Sequence, residues 1–539
     1  MADGIDSGWR GWLDIWALAR LGDGGIMRLQ YQNESAQVAQ MAGRRASESS
    51  ALLNEHGIDD FRKSVAQADQ RLYGTATEEE VPLVKNPDIE TTWQAETGLL
   101  ARYSGPLMLT YILQYSFSLV TVFVAGRLGT KELGAASLAT MTANVTGLCV
   151  YEGLATSLDT LTSQAFGNSK KQLVGLHVQR MVLLVLVVTI PIGAVWICSP
   201  WILSALVPEK EEAMLAGTFM RIYLLGAPGW AIFEAGKRLC QAQGDFTASL
   251  VVISICAPLN LLWNWLLVFR LNLGFAGAAW AVVISNNLQP IVLTVYVAIF
   301  ARSNLQCWPG LQPRRACQNW GPMVKLAFPG VLMTFSEWLA FDILSIAAGY
   351  LSASDLAAQS VLMTVAVTIY HLPFPISIAA STRFGNLIGY GALKAARTTW
   401  RTHYIIFICI GLFDVILLTT CRHVIAAIFT KDEAVRAIIA TVIPIMAAAQ
   451  LFDALVAISN ALLRGLGRQK IGGWVNLGVY YLFALPLSFT LAFGPPHMGL
   501  GGMWIGPCCG LGCASLIMFT YMRLTDWEKA VEDARAREE

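Results

Sequence analysis

Apolar stretches long enough to cross a bilayer recur along this chain from about Gly105 to Met522, with short polar breaks between them. A helix needs about 20 apolar residues to cross the hydrocarbon core. On that measure the pattern predicts twelve spans, at 105–125, 137–157, 181–206, 213–236, 248–269, 275–301, 323–350, 355–381, 404–421, 437–463, 471–493 and 498–522. The fourth gives the weakest signal, because Arg221 and Glu234 interrupt it. The last six spans echo the first six. Ala155-Thr156-Ser157-Leu158-Asp159-Thr160 runs into Gln164-Ala165-Phe166-Gly167, and Ala379-Ala380-Ser381-Thr382 runs into Gly385-Asn386-Leu387-Ile388-Gly389. Thr160 to Gly167 and Thr382 to Gly389 have equal spacing, and the copies lie 222 residues apart. Gln243-Gly244 pairs with Leu466-Gly467 at nearly that offset, and Gly274-Phe275-Ala276-Gly277 with Gly499-Leu500-Gly501-Gly502. Three matches in order point to a duplicated six-helix unit, an architecture in which transporters are commonly built. The expected fold is an all-α integral membrane protein. Its lobes fall at 98–301 and 323–522, joined by a loop at 302–322 and followed by a tail at 523–539.

Composition supports the same class. Hydrophobic residues make up 55% of the chain and charged residues only 14%, against about 25% in soluble domains. A net charge of +1 points to no nucleic-acid or acidic partner. The 11 cysteines are scattered, mostly inside spans, where Cys behaves as a small hydrophobe. Neither Cys307 nor Cys317 has a zinc-like partner pair nearby, so no metal site or disulfide framework is read.

Residues 1–97 differ, with polar and charged runs such as Glu78-Glu79-Glu80 and no span-length apolar segment. They read as a mostly disordered cytosolic tail. A short amphipathic helix around Trp9–Leu21, at a membrane surface, is the lesser reading. With the N-terminus placed in the cytosol, sixteen Lys and Arg near span ends, Lys237 and Arg238 among them, fall on the inner side and eight on the outer. That bias places both termini inside and leaves the Asn33-Glu34-Ser35 sequon unglycosylated. An even number of spans per half makes the repeats parallel, related by a pseudo-twofold along the membrane normal.

Function is expected where the membrane is made to hold charge. The spans contain Glu152, Glu234, Glu337, Asp342, Asp414 and Asp453, against one clear base, Arg221. A charge at the bilayer centre costs roughly 2.5–3.5 kcal/mol on insertion scales, so such groups face a cavity, pair or carry a proton. An acidic lining without matching bases suits protons and organic cations. Glu337 and Asp342 stand about 140° apart on a regular helix and do not form a simple dyad, although Pro329 upstream offers a bend that would turn both inward.

At these residues the chain resembles a known family. Lys325-Leu326-Ala327-Phe328-Pro329 followed by Glu337-Trp338-Leu339-Ala340-Phe341-Asp342 is similar to the seventh span of eukaryotic multidrug and toxic compound extrusion (MATE) transporters, in a fungal-like form. Gln114-Tyr115-Ser116, Asn144-Val145-Thr146-Gly147, Ala379-Ala380-Ser381-Thr382-Arg383, Phe452-Asp453-Ala454 and Arg464-Gly465 fit too, so the resemblance covers about 100–522. It implies a V-shaped pair of six-helix lobes and cation-driven antiport of bulky, usually cationic substrates. It also implies that Glu337, Asp342 and Asp453 are proton-coupling carboxylates, and that Gln114, Asn144 and Trp338 line the cavity. Animal members of the family carry an eighth-span carboxylate where Thr364 stands here, which leaves room for neutral substrates.

Several residues have a duller role beside the functional one. Asp159 sits at a span end near Arg180, where a structural ion pair or cytosolic gate is expected, in a gating group with Arg383 and Arg464. Glu152 fits two roles equally, a second cavity acid or a hydrogen-bonded helix contact. His371 reads as a packed histidine, and Asp414 and Glu234 receive no role. A lipid-linked-molecule flippase is the rival reading, but a lipid-phosphate exporter needs a basic cavity. A membrane-embedded enzyme needs a clustered nucleophile or a paired-His motif, and none stands in the spans. The expectation is therefore a monomeric secondary transporter among membrane lipids, in the plasma or vacuolar membrane. It needs no cofactor beyond an ion gradient. Protons are favoured over sodium because isolated carboxylates bind protons without a built oxygen cage.

Overall fold

The computed structural model describes residues 90–537, Pro208 excepted. The expectations placed on the first 89 residues, including the helix around Trp9–Leu21 and the Asn33 sequon, lie outside that range. Twelve spans follow in the predicted order. The first six are Trp93–Leu128, Thr130–Gly167, Lys171–Leu206, the pair Lys210–Tyr223 and Ala227–Ala242, Thr247–Arg270, and Gly274–Ile299. The last six are Gly321–Ala348, the pair Ala353–Tyr370 and Pro373–Tyr390, Leu393–Phe429, Glu433–Leu466, Gln469–Phe493, and Gly499–Leu524. Eleven of them are long and apolar enough to cross a membrane, and the fourth alone is not. The loop between the lobes carries a 3-10 turn, Arg302–Cys307, and a short helix, Pro313–Ala316. The predicted tail holds a further helix, Trp527–Ala536.

The duplication read from sequence reappears as matched backbone turns. Gly244 and Gly467, which end spans four and ten, take left-handed φ of 81° and 71°. Gly274 and Gly499, which start spans six and twelve, take φ of 56° and 55°. A side chain disfavours that conformation, which is why glycine stands at both copies of each turn.

The lobes meet along a tight seam at one face, where the second span packs on the seventh and eighth. A Cβ on Gly153 would fall on the backbone of Val331, and one on Gly330 would reach Thr156 and the carbonyl of Gly153. Small residues permit this backbone approach, as is usual where membrane helices cross closely. Hydrogen bonds then cross the seam. Gln469 Nε2 donates to the Thr156 carbonyl (3.2 Å) and to Thr160 Oγ1 (2.9 Å), and Thr160 Oγ1 donates to the Arg464 carbonyl (2.5 Å). The first and eighth spans are joined by Arg383, whose guanidinium binds Glu96 in a two-pronged pair at 2.6 and 3.2 Å. Glu96 is 1% exposed and belongs to the first helix, inside the stretch predicted to be tail.

Candidate functional site: two unequal charge clusters between the lobes

The N-lobe cluster is built by the first, second and fourth spans. Helix spacing in the fourth puts Glu234, Lys237 and Arg238 on one face, three and four residues apart. Lys237 Nζ donates to Glu234 Oε1 at 2.6 Å, and Arg238 Nη1 to Glu234 Oε2 at 2.9 Å. Arg238 continues to the second span, with Nε on Asp159 Oδ1 (2.9 Å) and Nη2 on Glu152 Oε1 (3.1 Å). From the first span, Gln114 Nε2 reaches Glu234 Oε1 at 3.4 Å, and Tyr111 offers its hydroxyl at 3.4 Å and its ring face at 4.8 Å to Lys237. From the other lobe, Arg464 Nε lies 3.4 Å from Asp159 Oδ2. Glu234, Lys237, Arg238 and Asp159 are all at most 5% exposed. Three carboxylates and three bases form a closed, balanced network. That is how buried charge is tolerated, because each ion supplies what the membrane cannot.

This corrects three expectations. The acids of the N-lobe do not lack bases. Lys237 and Arg238, placed by the charge rule at a cytosolic span end, lie inside the fourth span and are at most 2% exposed. Asp159 pairs with Arg238 and Arg464, and no ion pair joins it to Arg180 among the described residues. Arg221, taken as the one intramembrane base, is exposed, stacked on the Trp201 ring at 4.9 Å, and donates to the Ile197 carbonyl (2.8 Å). Of the two roles open for Glu152, the pairing with Arg238 supports the structural one.

The C-lobe cluster is different in kind. Glu337 on the seventh span and Asp453 on the tenth lie within electrostatic range of one another. Tyr370 of the eighth span meets the Glu337 carboxyl, and Tyr480 of the eleventh lies within electrostatic range of both acids, its buried hydroxyl without a partner among the described residues. Among the described residues neither carboxyl has a base within ion-pair distance; the charge that reaches Glu337 is the more distant Arg464. Tyr480 belongs to a π-helical turn, Val479–Ala484, and the second span carries another at Asn144–Leu148, which Asn144 opens. Such turns are frequent at functional sites because they rotate the side chains that follow. The second is held by Trp196, whose Nε1 donates to Thr146 Oγ1 at 2.7 Å.

Between the clusters the lobes touch through aromatic rings, Tyr115 against His371 at 5.0 Å and Tyr111 against Phe374 at 5.3 Å. Trp338 is 36% exposed beside Glu337, and Gln114 Oε1 is a buried acceptor without a partner among the described residues. Thr364 is exposed, with its hydroxyl bonded to the Ser360 carbonyl (2.8 Å). Asp342 stands apart from the Glu337–Asp453 pair; its charge is felt across the lobe boundary at Cys149. Asp414 is buried with both oxygens unpartnered among the described residues. Sequence reasoning missed Glu96, Tyr370, Tyr480 and the basic pair Lys237-Arg238. The available signal for that pair was its spacing of three and four from Glu234.

The MatE family model matches residues 106–266 and again residues 329–490, one match in each lobe. An uncharacterized transporter of Schizosaccharomyces pombe is 39% identical over 445 residues, covering 82% of this chain and 83% of its own. Multidrug and toxin extrusion protein 2 of Mus musculus is 32% identical over 455 residues, 84% of this chain and 78% of that one. Among solved structures, the eukaryotic MATE transporter AtDTX14 superposes with a TM-score of 0.78 at 28% identity, covering 83% of this chain and 99% of that one. The bent form of the Vibrio cholerae MATE transporter VcmN superposes at 0.71 with 17% identity, over 83% and 100% of the chains, a likeness of fold. The chain belongs to the MatE family of multipass membrane transporters.

Proposed function

We propose that this protein is a secondary antiporter that exports organic cations and amphiphilic toxic compounds in exchange for protons. The observation that carries the reading is the contrast between the clusters. Acids of the N-lobe are neutralised by Lys237, Arg238 and Arg464, whereas Glu337 and Asp453 lie within electrostatic range of one another with no base at ion-pair distance among the described residues. Two carboxyls that share a low-dielectric site favour holding a proton or a cation between them, and binding of one opposes binding of the other. That competition is the minimum an exchanger requires. Tyr370 supplies a hydroxyl to Glu337, and Tyr480 keeps a buried hydroxyl, unpartnered among the described residues, within electrostatic range of both acids. Trp338, next to Glu337 in the chain, supplies an exposed aromatic face that suits flat cations.

Alternating access completes the scheme. This conformer is closed along the seam at the face that carries both described chain ends, which the positive-inside rule assigns to the cytosol. Export then needs the seam to part, admit substrate, and close again behind it. The relatives named as multidrug and toxin extrusion proteins support the substrate class. A plasma or vacuolar membrane, cytosolic termini and a monomeric carrier belong to the same reading. Uptake into proteoliposomes under an imposed pH gradient, and separately under a sodium gradient, tests it with a panel of organic cations and neutral amphiphiles. Accumulation driven by pH is the expected result, and transport that follows sodium alone refutes proton coupling.

A further inference from the structure

The helix Trp527–Ala536 lies where sequence predicts only a tail, yet it is docked. Asp526 caps its start, with Oδ1 accepting from Glu528 N (3.0 Å) and Lys529 N (3.2 Å). Trp527, Ala530, Val531 and Ala534 are buried, which is the spacing of a single helix face. Trp527 meets Phe384 edge-on at 5.6 Å and Trp400 at 6.1 Å, and Asp533 accepts from Arg468 Nη2 at 2.8 Å. Every one of these anchors belongs to the C-lobe.

The docking delivers Arg537 to the seam. Its Nη2 donates to the Leu466 carbonyl of the C-lobe (3.1 Å) and to Gln164 Oε1 of the N-lobe (3.0 Å). Gln164 is 1% exposed, and its Nε2 donates across the same seam to the Gly465 carbonyl at 2.8 Å. Arg537 therefore settles which way the Gln164 amide points: oxygen to the guanidinium, nitrogen to the tenth span. A Cβ on Gly467 would stand 2.8 Å from the guanidinium, so glycine there leaves the room.

We propose that Arg537 is a positioning residue of the transport cycle, which holds Gln164 in the geometry that closes the seam. The Arg537–Gln164 bond joins a helix anchored on one lobe to a side chain of the other, so it must break whenever the lobes part at this face. Only contacts made in one state and lost in the other bias an equilibrium between them. Undocking the helix therefore shifts the carrier toward the form open at this face.

The test is hydrogen–deuterium exchange on the full chain in lipid nanodiscs, which reads seam opening without knowledge of the substrate. In Arg537→Ala, peptides covering 158–167 and 460–468 are expected to exchange about tenfold faster, as loss of a part-buried charged hydrogen bond across the seam implies. Peptides from the sixth span should be unchanged. Arg537→Lys, which keeps a donor and a charge, should fall between the two. Asp533→Asn loosens the helix without touching Gln164 and should accelerate the same seam peptides. Unchanged exchange at the seam in Arg537→Ala overturns the proposal. So does uniform acceleration through every span, because that marks a general structural role.

Discussion

Gln164 and Asn386 make the same hydrogen bond in opposite directions across the seam. Gln164 Nε2 donates to the Gly465 carbonyl at the end of the tenth span (2.8 Å), and Asn386 Nδ2 donates to the Ala242 carbonyl at the end of the fourth (3.3 Å). Three residues on, a Cβ on Gly167 would fall on the Asn386 carbonyl, and one on Gly389 would fall on the Gln164 carbonyl. The two repeats thus clasp one another about a pseudo-twofold axis through the closed face. Neither clasp opens without disturbing the other, which makes parting of the lobes a concerted step between discrete arrangements.

Gly167→Ala and Gly389→Ala are each expected to disfavour the closed seam. The added methyl has only backbone to push against, and overpacking of this kind typically costs about 1–3 kcal/mol, roughly a 5- to 160-fold shift toward the open form. Hydrogen exchange of peptides from 158–167 and 382–391 checks this, with Gly98→Ala as the control, because nothing lies within 4 Å of a Cβ there. Equal exchange in Gly167→Ala and Gly98→Ala would remove the argument.

Asp159→Asn should be among the most damaging single substitutions. It leaves Arg464 without its carboxylate and takes one of three from Arg238. Breaking a buried pair in this way costs about 3–5 kcal/mol, because the remaining charge stays out of water. The apparent melting temperature of the purified protein should drop, and Arg464→Gln added to Asp159→Asn should recover much of the loss. Glu152 is less buried and holds Arg238 at a longer 3.1 Å, so Glu152→Gln should cost less. A Glu152→Gln variant less stable than Asp159→Asn contradicts this ranking.

Glu337→Gln is expected to abolish transport driven by a pH gradient while leaving expression and membrane insertion intact. Asp453→Asn should do the same, since both carboxyls share the Tyr370 and Tyr480 surroundings. Asp342→Asn should impair transport less, because the charge of Asp342 is felt at Cys149 and not at the Glu337–Asp453 pair. Substrate uptake at a fixed pH gradient, normalised to protein per vesicle, gives the order directly. Normal uptake by Glu337→Gln protein would end the proposed role.

Much of the frame was legible in the chain, for physical reasons that also mark where legibility stops. Hydropathy locates spans because the bilayer sets their length. The echo of Gly244 in Gly467 marks the duplication because both need a left-handed turn. Glu337 and Asp453 stand out because acids are rare in apolar helices. Partners across the seam are another matter. Asp159 and Arg464 are 305 residues apart, and only the closed packing shows that they meet. Lys237 and Arg238 were read as a cytosolic span end, since a charge count along the chain does not register which residues their helix carries into the protein. The weak fourth span was itself the trace of the network it holds.

The response to voltage should report the charge of the substrate. One pH unit supplies about 1.4 kcal/mol per proton. A potential of 100 mV adds about 2.3 kcal/mol for each net charge moved. A neutral compound exchanged for one proton feels both, about 3.7 kcal/mol, or roughly 500-fold accumulation. A monovalent cation exchanged one for one moves no net charge, so only the pH contribution remains, about tenfold. Glu337 and Asp453, without a base at ion-pair distance among the described residues, favour the cation, and Thr364 in the eighth span leaves the neutral case open. Uptake at a fixed pH gradient, with the potential clamped by potassium and valinomycin, is therefore expected to be nearly flat with voltage for organic cations and steep for neutral amphiphiles. Steep voltage dependence for a monovalent cation would mean that more than one proton moves per turn, which the paired acids could supply by releasing both of theirs.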